Sequence, residues 1–267
     1  MPSFRADRHL SLAAALWIAL GLAGCAAPPL PETRVLIFGE QHDQPDHQRQ
    51  VASAIRRLAR NGQLGAVVIE MAERGRSTAG LAADADAAAV RAALAWAGWD
   101  WTAYEPVVMA AVRAGVPVRG GNLPRSGLRE AMADGAQDDR VDAAARDRIA
   151  AAVREGHCGA LPAAQEPGMV RVQIARDRSM ADTIAEALGD APGRRVLLLT
   201  GAQHASRDRG VPIHLARREN APTLHVVVFG SEATGLAADE HRRATVTPRR
   251  DPCEGLRERL AAPPEPD

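Results

Sequence analysis

Val35-Leu36-Ile37-Phe38-Gly39-Glu40-Gln41-His42 decides how this chain is read. Four apolar residues run without alternation. A glycine then breaks the run, and a glutamate, a glutamine and a histidine follow. An unbroken short apolar run is the pattern of a strand covered on both faces, as in a parallel sheet. The same design recurs at Val196-Leu197-Leu198-Leu199-Thr200-Gly201-Ala202-Gln203-His204. Working outward, runs at 66–70, 116–120 and 225–229 complete a set of five expected strands with 35–39 and 196–200.

Helical spacing fills the gaps. Over 46–60, Val51, Ile55 and Leu58 fall on one stripe, and Pro45 suits the first turn. Helices are also expected over 82–95, 102–114, 139–155 and 165–188, where Gly189 and Pro192 mark the end. The stretch 206–220 is ambiguous, because Gly210 and Pro212 interrupt it. Strands alternating with helices predict an α/β fold: a mainly parallel sheet, helices on both faces, and a site at the strand carboxyl ends.

The 267 residues carry 33 positive and 33 negative side chains, and no lysine. That neutral balance argues against a nucleic-acid partner, which selects for a basic excess. Residues 1–25 read as an address. Arg5, Arg8 and His9 precede an apolar run from Leu10 to Leu22, too short for a comfortable membrane span. Leu22-Ala23-Gly24-Cys25 then follows the pattern of a bacterial lipoprotein signal, with Cys25 as the lipidated residue. Ala26 and Ala27 come next, without the aspartate that favours inner-membrane retention. The expectation is an outer-membrane anchor facing the periplasm. A proline-rich tether (26–33), one α/β domain (34–258) and a loose tail (259–267) follow.

With Cys25 lipidated, Cys158 and Cys253 remain in an oxidising compartment, where an even pair most simply forms one disulfide. A ligand role for Cys158 beside His157 is the alternative.

The polar residues gather where strands end. Glu40 and His42 follow the first, Glu70 ends the second, Asn122 follows the third, and His204 follows the fourth. Two of these ends share the form Gly-x-x-His. If Glu40, His42, Glu70 and His204 converge, they make a nitrogen and oxygen cluster suited to a divalent metal such as zinc or manganese. The same groups suit general acid–base work in a hydrolase. On the 165–188 helix, Gln173, Arg176 and Asp177 share a face. There Arg176 and Gln173 are placed to grip an acidic ligand, or else form a solvated polar face. Trp96, Trp99, Trp101 and Tyr104 cluster within nine residues, as core packing or as a flat surface for a planar ligand.

These pieces resemble a known family. Gly39-Glu40-Gln41-His42, Glu70-Met71, Trp99, Tyr104, Pro106 and Asn122-Leu123-Pro124-Arg125 match the ChaN-like haem-binding lipoproteins, a branch of the superfamily that includes Tiki and TraB proteins. Gln173, Arg176-Asp177, Met180-Ala181, Gly201-Ala202-Gln203-His204 and Gly210-Val211-Pro212 continue the match. The resemblance implies a periplasm-facing lipoprotein that binds haem and serves haem or iron acquisition, as a homodimer enclosing a pair of haems and working with an outer-membrane haem receptor. It also implies a tyrosine on the iron and a histidine near a propionate. Tyr104 is the one phenol available, and His157 is the rival ligand or propionate partner. The wider superfamily's metal-dependent hydrolases imply the alternative, a peptidase or esterase using Glu40, His42, Glu70 and His204.

Overall fold

Six strands form one sheet in the computed structural model, in the order β3-β2-β4-β1-β5-β6 and with every neighbour parallel. The strands are β1 (Val35–Glu40), β2 (Leu64–Glu73), β3 (Val118–Asn122), β4 (Arg195–Gly201), β5 (Leu224–Phe229) and β6 (Glu240–Arg242). The structure describes residues 30–42, 44–248, 251 and 253–254. The expected signal, Cys25, the first half of the tether and the 259–267 tail lie outside them. Thr33–Asp267 forms a compact unit by itself.

The helices are α1 (Pro45–Arg60), α2 (Ala87–Ala93), α3 (Trp101–Val112), α4 (Leu128–Ala133), α5 (Ala143–Gly156), α6 (Glu166–Asp190), α7 (Ala202–Ala205) and α8 (Val211–Ala216). Asp86, Asp100 and Asp142 start α2, α3 and α5 by accepting backbone N–H groups of the first turn. The ambiguous stretch resolves as α8: Gly210 precedes it and Pro212 sits in its first turn, so both open the helix rather than break it.

Strand residues alternate between the two faces. Val35, Ile37, Ala66, Val68, Val196, Leu198, Val226 and Val228 pack with Met180, Ala181, Ile184 and Ala187 of α6 and with Val211 and Leu215 of α8. The other face carries Phe38 and Phe229, stacked 6.1 Å apart, and His47 of α1 lies on Phe229. Helices therefore cover both faces, which is why the strands read as continuous apolar runs.

Five expected strands are present. The sixth, β6, escapes the sequence because it is three polar residues long. Strand β3 begins at Val118 rather than Val116, and α2 is much shorter than 82–95 because turns occupy its flanks.

The central strands β1 and β4 are neighbours, and their chains leave in opposite directions: β1 continues to β2, β4 to β5. The crevice of an open parallel sheet forms at such a divergence. The residues after β1 and β4 are Gln41-His42 and Ala202-Gln203-His204.

Candidate functional site

Glu40 and Glu70 leave opposite faces of the sheet. Glu40 follows Phe38 on the face of α1 and α3. There its Oε1 accepts from the Tyr104 hydroxyl at 2.8 Å, and its Oε2 accepts from Gln48 Nε2 at 2.5 Å. Glu70 follows Val68 on the α6 face. Its Oε2 accepts from the Thr200 hydroxyl and from the Gly201 N–H, both at 2.7 Å.

His42 joins the two across the sheet edge. Its Nδ1 lies 3.0 Å from Glu40 Oε1 and 3.1 Å from the Tyr104 oxygen, and its Nε2 lies 4.0 Å from Glu70. Gly201 leaves room for this ring, since a Cβ there would stand 2.9 Å from His42 Nε2. Beyond Glu70, His204 Nε2 is 3.7 Å from Glu70 Oε1, and its Nδ1 is 2.7 Å from Asp177 of α6. The result is one line of groups, Tyr104, Glu40, His42, Glu70, His204 and Asp177, along the carboxyl edge.

The charges in this line sustain one another. Burial works against the charge of Glu70, but His204, His42 and the two hydrogen-bond donors hold its pKa down to about 2. Burial also works against His204, yet Asp177 and Glu70 raise it to about 9. Burial pushes Asp177 up to about 6, with His204 opposing. His42 is raised by its Glu40 hydrogen bond and by Glu70 against burial. Glu40 is raised by burial, with His42 and Tyr104 opposing.

The four sequence candidates thus come together, but not as a metal centre. Among the described residues, no group of three or more His, Cys, Asp and Glu side chains is arranged to hold a metal ion. His42 directs Nδ1 at Glu40 and His204 directs Nδ1 at Asp177, while Glu40 and Glu70 already accept hydrogen bonds from other donors. The zinc or manganese expectation is not carried forward.

Beside the line opens a cleft of about 530 Å³, within the range of roughly 300–1,000 Å³ typical of small-molecule sites. Leu94, Trp99, Leu123 and Leu128 give it apolar walls, and Trp99 also packs on His42 at 4.6 Å. Arg76, Arg125 and Arg176 line it, and among the described residues none of the three forms a salt bridge. The Nε atom of Arg176 is buried and has no hydrogen-bond partner. A buried guanidinium N–H aimed at nothing is costly, and a carboxylate ligand is the natural acceptor. The expectation that Arg176 faces a pocket agrees with this position. Gln173, one turn earlier, is half-buried and not among the lining residues.

The two expected haem ligands stand elsewhere. Tyr104 is 2% exposed, its hydroxyl donates to Glu40, and burial beside that carboxylate pushes the phenol pKa well above its usual value. A phenolate ligand needs the opposite: an accessible, readily ionised oxygen. Tyr104 is a buried hydrogen-bond donor here and does not line the cleft. His157 caps the far end of α5, with Nδ1 against the Val153 carbonyl at 2.7 Å. Arg154 meets Glu166 there, at the first residue of α6. From Glu166 to Asp177 is eleven residues, so His157 sits roughly 16 Å of helix away from the sheet edge.

Next to His157, Cys158 and Cys253 form the expected disulfide, with Cα atoms 5.4 Å apart. Both thiols are therefore engaged, and a ligand role for Cys158 falls away.

Sequence reasoning missed Gln48 and Arg76, and it gave no role to Thr200 at the end of β4 or to Arg125 in the Asn122-Leu123-Pro124-Arg125 run. Asp177 was visible as a neighbour of Arg176, but not as the partner of His204. Helical spacing offered the signal: Met180 and Ile184 lie three and seven residues beyond Asp177, so Asp177 also falls on the stripe that packs against the sheet.

Comparison with known proteins follows the same lines. The family described as haem-binding uptake, Tiki superfamily, ChaN matches residues 27–215. Among solved structures, ChaN of Campylobacter jejuni, described with cofacial haem binding, aligns with a TM-score of 0.61 at 21% identity, covering 75% of this chain and 82% of that one. The type III effector HopBA1 aligns with a TM-score of 0.45 at 12% identity, over 74% of this chain and 77% of that one. A mutant erythromycin esterase EreC in its open conformation gives 0.41 at 15%, over 74% and 70%. No curated protein matches.

Proposed function

Since the chain belongs to the family of haem-binding uptake proteins of the Tiki superfamily, ChaN, we propose that it binds haem in the cleft beside the sheet edge. The buried, partnerless Nε of Arg176 carries this reading. Haem is a flat apolar ring with two carboxylates on one side. Leu94, Trp99, Leu123 and Leu128 receive the ring. Arg76, Arg125 and Arg176 receive the propionates, since a planar guanidinium pairs with a carboxylate in two parallel bonds. The Tyr104–Glu40–His42 line lies behind the cleft and fixes the His42 ring against Trp99. Haemin titration of the form comprising residues 26–267, followed in the Soret band, tests this. Saturable binding supports the reading, and an unchanged haemin spectrum at micromolar concentration removes it.

The same reading extends to the setting. Cys25 anchors the protein by lipid in the outer membrane, facing the periplasm, and the protein serves haem or iron acquisition with a homodimer enclosing two haems and an outer-membrane receptor as supplier. The lipobox-like Leu22-Ala23-Gly24-Cys25 and the oxidised Cys158–Cys253 pair support an extracytoplasmic location. Mass spectrometry of the mature N-terminus tests the lipid.

One observation favours a second reading, acid–base hydrolysis. The His42 side chain is 35% exposed, and it is polarised by Glu40 on one side and Glu70 on the other. That is the arrangement of a general base. Turnover of esters or peptides that a His42→Ala variant abolishes would establish it.

A further inference from the structure

A second concavity, of about 720 Å³, lies between α1 and α3. Ala59, Pro106, Met109, Ala110 and Ala114 give it an apolar floor, and Arg56, Arg60 and Arg113 stand at its rim. All three arginines are exposed, and among the described residues none forms a salt bridge. Glu105 is the one carboxylate lining this groove. Asp84 and Asp86 lie in the adjoining depression, where Asp86 caps α2. An apolar floor under an arginine rim fits one chemistry: an anionic amphiphile.

Position narrows it further. Helix α1 runs back along the sheet and ends beside its amino edge, where the Gln63 carbonyl accepts from Arg195 at the start of β4. After α3, the Pro117 carbonyl accepts from Val67 at the same end of β2. Arg60 and Arg113 therefore lie at the amino edge, the edge from which β1 begins at Val35. Residues 26–33 lead into it, and eight residues span at most about 28 Å.

We propose that the arginine-rimmed groove between α1 and α3 docks onto the anionic phospholipid surface in which the chain is anchored. This rests on the lipid-anchor reading for its biological setting, but the contact is a property of the folded unit. The arginines meet headgroup phosphates, and the floor receives acyl or glycerol carbons. A lipid anchor and a basic patch are two signals that together hold a protein at a surface in one orientation. Docked by its amino edge, the molecule turns the carboxyl edge and the haem cleft away from the bilayer.

The test uses residues 26–267, so no acyl chain contributes. The protein is cosedimented with vesicles of phosphatidylglycerol and phosphatidylcholine, and with pure phosphatidylcholine. The expected result is binding to the anionic vesicles alone, weakened by 0.5 M salt. An R56E/R60E variant is expected to lose roughly tenfold or more in affinity, since each arginine near such a surface is worth about a factor of five. An R129E/R146E control, of equal charge change, is expected to bind like the parent. Haemin titration of R56E/R60E is expected to match the parent, which shows that the fold is intact. Absence of binding to anionic vesicles overturns the proposal, as does equal binding by R56E/R60E or equal loss in the control. None of these outcomes touches the lipid on Cys25, which mass spectrometry reads separately.

Discussion

His204 Nδ1 stands 2.7 Å from Oδ1 of Asp177, a residue 27 positions earlier on another element. This contact makes the cationic imidazole part of the fold. Its pKa, raised to about 9 from the usual 6.5, means that the folded state binds the proton more tightly than the unfolded chain. The stabilisation is complete below pH 6.5 and is lost as pH rises through about 9. Its size is on the order of 3 kcal/mol at most. Asp177 has the same sign at lower pH. Its raised pKa of about 6 means its stabilisation is lost as pH rises from 3.8 through 6. The alkaline limb between pH 6.5 and 9 therefore belongs to the histidines. Thermal unfolding should show Tm falling across that limb in the parent, and a flatter limb in His204→Asn. Parallel curves would remove His204 from this role.

At the acid end, Glu70 has the opposite sign. Its pKa is depressed to about 2, so its stabilisation is present above about 4.5 and is lost as pH falls toward 2. Glu70→Gln should have a lower Tm than the parent at neutral pH and a smaller loss of Tm between pH 4.5 and 2.5. At neutral pH the same variant leaves His204 and His42 short of a counter-charge, costing about 3 kcal/mol.

Much of this arrangement was readable in advance, and the reason is geometric. Buried parallel strands announce themselves as apolar runs, and the residues just past their ends must lie on one edge. That placed Glu40, His42, Glu70 and His204 together. What the runs could not reveal is which face each carboxylate leaves. A period of two puts Glu40 with α1 and α3, and Glu70 with α6, and only the pairing register decides it. The cleft was harder. Arg76 and Arg125 come from loops after β2 and β3, where no periodicity constrains a side chain. Tyr104 misled because its rarity drew attention to it, whereas α3 turns it inward.

Tyr104→Phe distinguishes these roles. The hydroxyl donates to Glu40 inside the molecule, so its loss should cost about 1–3 kcal/mol of stability by leaving a buried carboxylate short of a donor. The haem spectrum should keep its Soret position. A phenolate-ligand signature that disappears in this variant would contradict the placement of haem in the cleft.

The disulfide offers a separate check on the tail. Cys158 and Cys253 are 95 positions apart, and removing such a link costs about 2–4 kcal/mol. Cys158→Ser/Cys253→Ser should lower Tm to the value of the reduced parent. If the two Tm values of the parent, oxidised and reduced, coincide, the link does not contribute.

The most direct measurement is haemin titration of residues 26–267 in parent, Arg176→Ala and Arg176→Glu forms, with far-ultraviolet circular dichroism to confirm folding. Haem seated in the cleft, with a propionate on Arg176, predicts saturable binding by the parent. It also predicts a loss of roughly ten- to a hundredfold in Arg176→Ala, since a charge-assisted bond is worth about 1.5–3 kcal/mol, and a greater loss in Arg176→Glu. Folded variants that bind haemin with the parent's affinity would contradict the account.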